Sequence, residues 1–376
     1  MSSSSTDYGL SKQVNLGQVP APELPYLPRV PRHYRPKIGV VGAGGVTEYH
    51  LRAYQKMGLD VAMICDLNLK RAEARRDEFF PQASVCSNLA EVLRREDIAV
   101  IDAALHPEPR VPLIEAAIRS GKHILSQKPF ALDLDVAERL ADLADSRGVK
   151  LAVNQNGRWA PHFAYAREAV RAGLLGEIGS VDFHLAFDHS WTIGTPFEDI
   201  HHLLLFDFGV HWFDMVSCFL EGRQLVSVSA SVGRSSYQKA RPPFLASVII
   251  DAEDAQARMA FNAAVTYGQA DRTQLAGSRG TLQSIGPSLS QQRVTVTTAA
   301  GEASPDLKGT WFENGFQGTM GELLCAIEEN REPLNSARNN LRTLALCFAA
   351  LESADKHRSV RPGEVRRMPG TTGDLT

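Results

Sequence analysis

The stretch Lys37-Ile38-Gly39-Val40-Val41-Gly42-Ala43-Gly44-Gly45-Val46-Thr47 constrains this chain most. It reads as a short apolar strand that runs into a glycine turn and then a helix, from Glu48 to Met57. A second apolar run, Val61-Ala62-Met63-Ile64-Cys65, follows and ends on Asp66. Strand, glycine turn, helix and strand make a βαβ unit of the dinucleotide-binding kind. Gly42 permits the tight turn. Gly44 lets the backbone approach a pyrophosphate at the positive end of the helix. Asp66 stands near the spacing at which a carboxylate accepts from a ribose 2′-hydroxyl. The third glycine position holds Thr47, which predicts a helix set slightly further from the strand.

Alternation of apolar strands with helical patterns continues to about Asn154. Strands are predicted at 99–104, 123–126 and 149–153, and helices at 111–120 and 133–148, both helices ending on a glycine. Beyond one more helix (161–175), period-two alternation takes over, with Val181, Phe183, Leu185 and Phe187 on one face. Further strands are predicted around 225–233, 244–251, 256–265, 272–277, 281–285 and 293–298. Helices are predicted at about 206–220, 315–330 and 337–357. The fold class is therefore α/β: a Rossmann doubly wound parallel sheet, then an α+β unit with a large open, mainly antiparallel sheet. The expected division is an arm (1–36), a dinucleotide-binding domain (37–156) and a substrate-binding and oligomerisation domain (157–376). The arm is rich in serine and proline. It reads either as a loose tail or as a strap along this protein or a partner, with Leu24, Tyr26, Leu27, Val30 and Tyr34 available for burial.

The formal net charge of −3 and the lack of basic runs argue against nucleic acid. No apolar stretch reaches the ~18 residues of a membrane span. The N-terminus lacks the charged and apolar regions of a secretory signal. Five cysteines (Cys65, Cys86, Cys218, Cys325, Cys347) form no C-x-x-C pair, so buried free thiols in a reducing cytoplasm are expected.

Four motifs in this order make the chain similar to the Gfo/Idh/MocA oxidoreductase family, over about 37–365. They are the glycine turn with Asp66; Gly121-Lys122-His123-Ile124-Leu125-Ser126-Gln127-Lys128-Pro129; Asn154-Gln155-Asn156-Gly157-Arg158-Trp159; and Asp207-Phe208-Gly209-Val210-His211-Trp212-Phe213-Asp214. The family usually has Glu-Lys-Pro where Gln127 begins Gln-Lys-Pro here. The resemblance implies a catalytic set of Lys128, Asp207 and His211. Lys128 would polarise the substrate oxygen, His211 would take the alcohol proton, and Asp207 would orient His211 or bind a neighbouring hydroxyl. On the predicted helix, Asp207 and His211 share a face. Cofactor contacts are expected from Gly42, Gly44, Gly45, Val46 and Thr47, from Asp66 and Arg71, and from His106, Gln127 and Lys128. Substrate contacts are expected from Gln155, Arg158, Trp159, Trp191 and Trp311 besides Asp207 and His211.

A metal is not expected. His201, His202, Asp207 and His211 would suit zinc or manganese, but no H-E-x-x-H signature is present and Lys128 can do the polarising. The implied activity is hydride exchange between NAD, favoured over NADP by Asp66, and a secondary hydroxyl of a sugar, sugar derivative or inositol-like polyol. The alternatives are a redox-neutral sugar-modifying enzyme with tightly held NAD and a cofactor-sensing regulator without turnover. The open sheet, read as apolar on its outer face, predicts a homodimer or homotetramer.

Overall fold

The structure is a computed structural model, and residues 14 and 16–370 are described. The serine-rich start of the arm lies outside the described residues.

The first half forms β1 (Lys37–Val41), α1 (Thr47–Lys56), β2 (Asp60–Cys65), α2 (Leu69–Phe79), β3 (Ser84–Cys86), α3 (Leu89–Arg94), β4 (Ile98–Ala103), α4 (Pro107–Arg119), β5 (His123–Ser126), α5 (Leu134–Ser146) and β6 (Leu151–Val153). The strands are parallel, in the order β3-β2-β1-β4-β5-β6. Helices cover both faces, so the strands read as continuous apolar runs. The order reverses between β1 and β4. Loops after these two strands therefore diverge and open a crevice at their carboxyl ends.

After α6 (Pro161–Arg171) and β7 (Ile178–Ala186), a π-helical turn at Leu204–Phe208 leads into α7 (Val210–Phe219). Then come β8 (Leu225–Gly233), β9 (Leu245–Ala252), β10 (Gln256–Asn262), β11 (Ala270–Gly277), β12 (Gly280–Ser288), β13 (Gln291–Thr298), β14 (Gly301–Ala303), α8 (Trp311–Glu328) and α9 (Ala337–Lys356). The second sheet has the order β14-β13-β12-β11-β7-β10-β9-β8 and is antiparallel except where β7 pairs with β10. Its inner face packs on α6, α7 and α9.

The last two helices return to the first sheet. Phe316, Met320, Leu323 and Leu324 of α8 share a core with Leu51, Ala53 and Tyr54 of α1. The linker between α8 and α9 covers the free edge of β6, where the Val153 amide donates to the Asn335 carbonyl at 2.7 Å. An edge strand is thus paired rather than left open.

The outer face of the large sheet differs from expectation. Val228, Ala246, Val248 and Ile250 point into the core, and the outer positions carry Ile249 and Ile285 among Asp182, His184, Arg258, Arg272 and Gln283. Strand register decides this, because a shift of one residue exchanges the two faces. The face is mixed rather than apolar.

The described arm runs along its own chain. The Val19 amide donates to the Glu302 carbonyl at 2.9 Å, and Tyr165 donates to the Pro22 carbonyl at 2.9 Å. The Glu328 carboxylate accepts from the amides of Arg32, His33 and Tyr34 at 2.6–2.8 Å. Leu24 and Tyr26 pack on the core, whereas Leu27 and Val30 are exposed, contrary to expectation. Among the described residues no helix is long and apolar enough to cross a membrane. Cys65, Cys86, Cys325 and Cys347 are buried, and all five thiols are free.

Candidate active site

The glycine turn lies at the crevice. Gly42 has φ +101°, and a Cβ there would stand 2.5 Å from the Ala104 carbonyl, so only glycine fits. A Cβ on Gly44 or Gly45 would meet no protein atom within 4 Å. Protein packing therefore does not explain those two glycines, and a backbone that a pyrophosphate approaches does. The Thr47 hydroxyl donates to the Gly42 carbonyl at 2.8 Å and ties the helix start to the turn. Asp66 Oδ2 accepts from the Ala43 amide at 2.8 Å, which places the carboxylate beside the turn. Val46 precedes the helix, Arg71 is exposed in the first turn of α2, and His106 precedes α4, where the loop after β4 borders the same crevice.

Lys128 follows β5 at the carboxyl edge of the sheet. Its ammonium donates to Asp207 Oδ1 at 3.0 Å and to the Asp207 carbonyl at 2.8 Å. Behind it lies a buried chain of hydrogen bonds. Gln127 Oε1 accepts from the Lys128 amide at 2.7 Å, and its amide nitrogen and that of Asn154 reach His50 Nε2 at 3.0 and 3.1 Å. His50 Nδ1 faces Asp102 Oδ2 at 2.8 Å, and Tyr54 donates to the same oxygen at 2.7 Å. The contact with Asp102 suits Nδ1 as the donor, which leaves Nε2 to accept from a facing amide. Arg110, fully buried, donates to the carbonyls of Leu105, Pro129 and Phe130 and so joins the loops after β4 and β5. Burial pushes its guanidinium down to about 9, still charged at neutral pH.

Asp207 lies in the π-helical turn rather than in the expected continuous helix, and its partner is Lys128 rather than His211. The Gly209 amide donates to the Leu204 carbonyl five residues back, at 2.8 Å. A Cβ at Gly209 would stand 2.7 Å from the Leu205 carbonyl, so glycine is what admits the wider turn. Such turns recur at functional sites because they re-aim side chains. His211, at the start of α7, has Nδ1 buried beside Gly157 without a hydrogen-bond partner. Its ring meets the Trp311 ring edge-on at 5.5 Å. Burial, and then the charge of Lys128, hold its pKa well below the usual value.

Sequence reading missed His189. It lies just beyond β7, close enough for the charges of Asp207 and Lys128 to act on it, and burial holds it down to about 4. Its Nδ1 accepts from the Trp191 indole at 3.3 Å, and its Nε2 is buried and unpartnered. No motif spacing marks it, because only the return of β7 beside the π-helical turn brings it in. Trp191 is exposed and contacts the site through His189. Gln155, just past β6, has both amide atoms buried and unpartnered.

Two expected substrate contacts do not reach a cleft. Arg158 is buried in an ion pair with Asp214, with both bonds at 2.6 Å, and also donates to Asn339 at 2.7 Å and to the Leu334 carbonyl. Trp159 lies against Gly318, where a Cβ would stand 2.0 Å from its ring, and Arg167 caps its face at 5.3 Å. The Gly315/Gly318 spacing on α8 was the available signal, since small residues one turn apart let a helix approach closely. Trp311 is also buried, but its indole donates to Asn156 Oδ1 at 2.9 Å while its ring borders His211.

The four histidines and acids considered as a metal set are divided. His201 and His202 bond Asp355 of α9, whereas Asp207 and His211 stay at the Lys128 site.

Residues 36–155 match a family described as "Oxidoreductase family, NAD-binding Rossmann fold", and residues 163–283 match the GFO/IDH/MocA C-terminal domain. The chain is 27% identical over 348 residues to a D-apiose dehydrogenase of Paraburkholderia graminis, covering 86% of this chain and 89% of that protein. It is 25% identical over 339 residues to an inositol 2-dehydrogenase of Rhizobium meliloti, covering 86% and 98%. A crystal structure of an oxidoreductase from Agrobacterium radiobacter in complex with NAD+, L-tartaric acid and magnesium superposes with a TM-score of 0.79 at 22% identity, covering 88% and 99%.

Proposed function

The chain belongs to the Gfo/Idh/MocA oxidoreductase family, and from that premise we propose that it is an NAD-dependent dehydrogenase acting on a secondary hydroxyl of a sugar, sugar derivative or inositol-like polyol. The observation that carries the reading is the meeting of Lys128, Asp207 and His211 beside the nucleotide crevice. When bound, NAD supplies the acceptor that takes the carbinol hydrogen as hydride.

The residues divide the remaining work. The turn from Gly42 to Thr47, with Asp66, holds the nucleotide half of the cofactor. Arg71 and His106 border that crevice, whereas the Gln127 side chain lies buried behind Lys128. Lys128 donates a hydrogen bond to the reacting oxygen and favours charge developing there. Asp207 acts on Lys128 by fixing the direction of its ammonium. His211 is neutral at physiological pH and therefore able to accept the hydroxyl proton. Substrate contacts come from Gln155, His189 and Trp191, with Trp311 bordering His211.

Formation of NADH at 340 nm during a screen of monosaccharides and cyclitols tests the reading. Net NADH with at least one sugar or cyclitol is the expected outcome. Product formed without net NADH points to the redox-neutral alternative, and tight NAD binding with no turnover on any of them points to a sensor.

We further propose that copies pair through the outer face of the large sheet, where Ile249 and Ile285 are exposed among charged residues of both signs. That composition is the mixed kind found at interfaces.

A further inference from the structure

We propose that His201, His202 and Asp355 form a binding site for a divalent transition-metal ion of the zinc type, separate from the Lys128 site. Among the described residues they are the group of three histidine, cysteine or acidic side chains whose ligand atoms all lie within 4.8 Å of one another. His201 Nε2 stands 2.9 Å from Asp355 Oδ2, and His202 Nε2 stands 2.8 Å from Asp355 Oδ1. These separations are somewhat shorter than the ~3.3 Å edge of a tetrahedron with ~2.0–2.1 Å bonds, so small side-chain rotations admit an ion.

The backbone is shaped to bring the rings together. Consecutive side chains in extended chain point to opposite sides. His202 instead has φ +43°, a left-handed conformation uncommon outside glycine, and the two ring centroids lie 4.0 Å apart on the same carboxylate. Gly370 closes the other side of His201, where a Cβ would stand 2.5 Å from the ring. The two rings are half-buried and Asp355 is exposed, which leaves a fourth position open to water. Two imidazoles and one carboxylate suit zinc, cobalt or nickel and disfavour magnesium and calcium, which prefer oxygen ligands alone.

The site's place in the fold gives it a consequence. The His202 carbonyl accepts from the amides of Leu205 and Phe206 at 2.8 and 3.0 Å and so begins the turn that carries Asp207. An ion there would fasten that turn to the C-terminal end of α9.

The inference does not depend on the dehydrogenase reading, because its test measures metal rather than turnover. The full chain is stripped with a chelator, desalted and titrated calorimetrically with Zn2+ alone. One saturable equivalent per chain is expected. His201→Gln and Asp355→Asn, each checked by circular dichroism, should weaken uptake by ~100-fold. Should one variant fail to fold, the other decides. Co2+ should give the visible bands of a tetrahedral nitrogen and oxygen site, without thiolate charge transfer. Absence of saturable uptake, undiminished uptake in the folded variants, or a thiolate–cobalt spectrum would each overturn the proposal.

Discussion

The ammonium of Lys128 lies between the carboxylate and the main-chain carbonyl of Asp207, 3.0 and 2.8 Å away, although 79 positions separate the two residues. Two atoms of one residue thus aim a flexible side chain. Lys128→Ala and His211→Ala should each lower kcat by about 100-fold, about 2.7 kcal/mol, while NAD affinity changes little. If Asp207 works through Lys128, adding Asp207→Ala to Lys128→Ala should cost little more than Lys128→Ala alone. Steady-state kinetics with calorimetric NAD binding measures both. Full additivity of the two losses would give Asp207 a separate role on the substrate.

Cofactor preference should follow Asp66. A 2′-phosphate would meet this carboxylate, which the Ala43 amide holds beside the turn. NAD should therefore exceed NADP in kcat/KM, and Asp66→Ser should narrow the ratio by about tenfold or more. The exposed Arg71 is available to a phosphate once the carboxylate is gone. A wild-type preference for NADP contradicts this account.

The acid side of the pH–rate profile reports His211. Burial and the Lys128 charge disfavour its protonated form, so the ring remains a base below the ordinary histidine value of about 6.5. kcat/KM should hold as pH falls through 6.5 and decline only in more acidic solution. An acid limb centred at or above 6.5 would mean that the titrating base is another group.

Asp271 should be a liability at neutral pH. It is buried on β11, with Oδ2 accepting from Gln292 at 3.0 Å and Oδ1 unpartnered, and burial pushes its carboxyl up to about 7. The unfolded chain loses this proton near pH 3.9. Between that pH and about 7 the folded state holds a proton that the unfolded state has released, so stability falls as pH rises across this window. Asp271→Asn removes the dependence. It should raise Tm at pH 7.5, by an amount on the order of a few kcal/mol in free energy, and change it little near pH 4. Equal effects at both pH values would remove titration as the cause.

Assembly and the arm should separate experimentally. Ile249→Asp together with Ile285→Lys should convert the wild-type oligomer to monomer in light scattering. A wild-type monomer at micromolar concentration refutes pairing through this sheet. Deleting residues 1–36 removes the three amides on Glu328 and the strand contact at Glu302, all within one chain. It should lower Tm and leave the assembly unchanged.

The glycine turn, the alternation of strand and helix, and the change to period two at Val181 are local patterns, so the two sheets were legible in the amino-acid sequence. So were Lys128 at a strand end and the Asp207/His211 pair, because their chemistry travels with short motifs. Partners that meet only after folding were not legible. Burial of Arg158 depends on Asp214, 56 positions away, and that of Trp159 on a glycine face of α8. His189 becomes a neighbour of Lys128 only when β7 returns beside the π-helical turn. The outer face of the large sheet depended on strand register, which one residue inverts. Local backbone preference acts over a few residues and is written in the chain. Burial, register and charge proximity arise between segments far apart in sequence, and packing alone decides them.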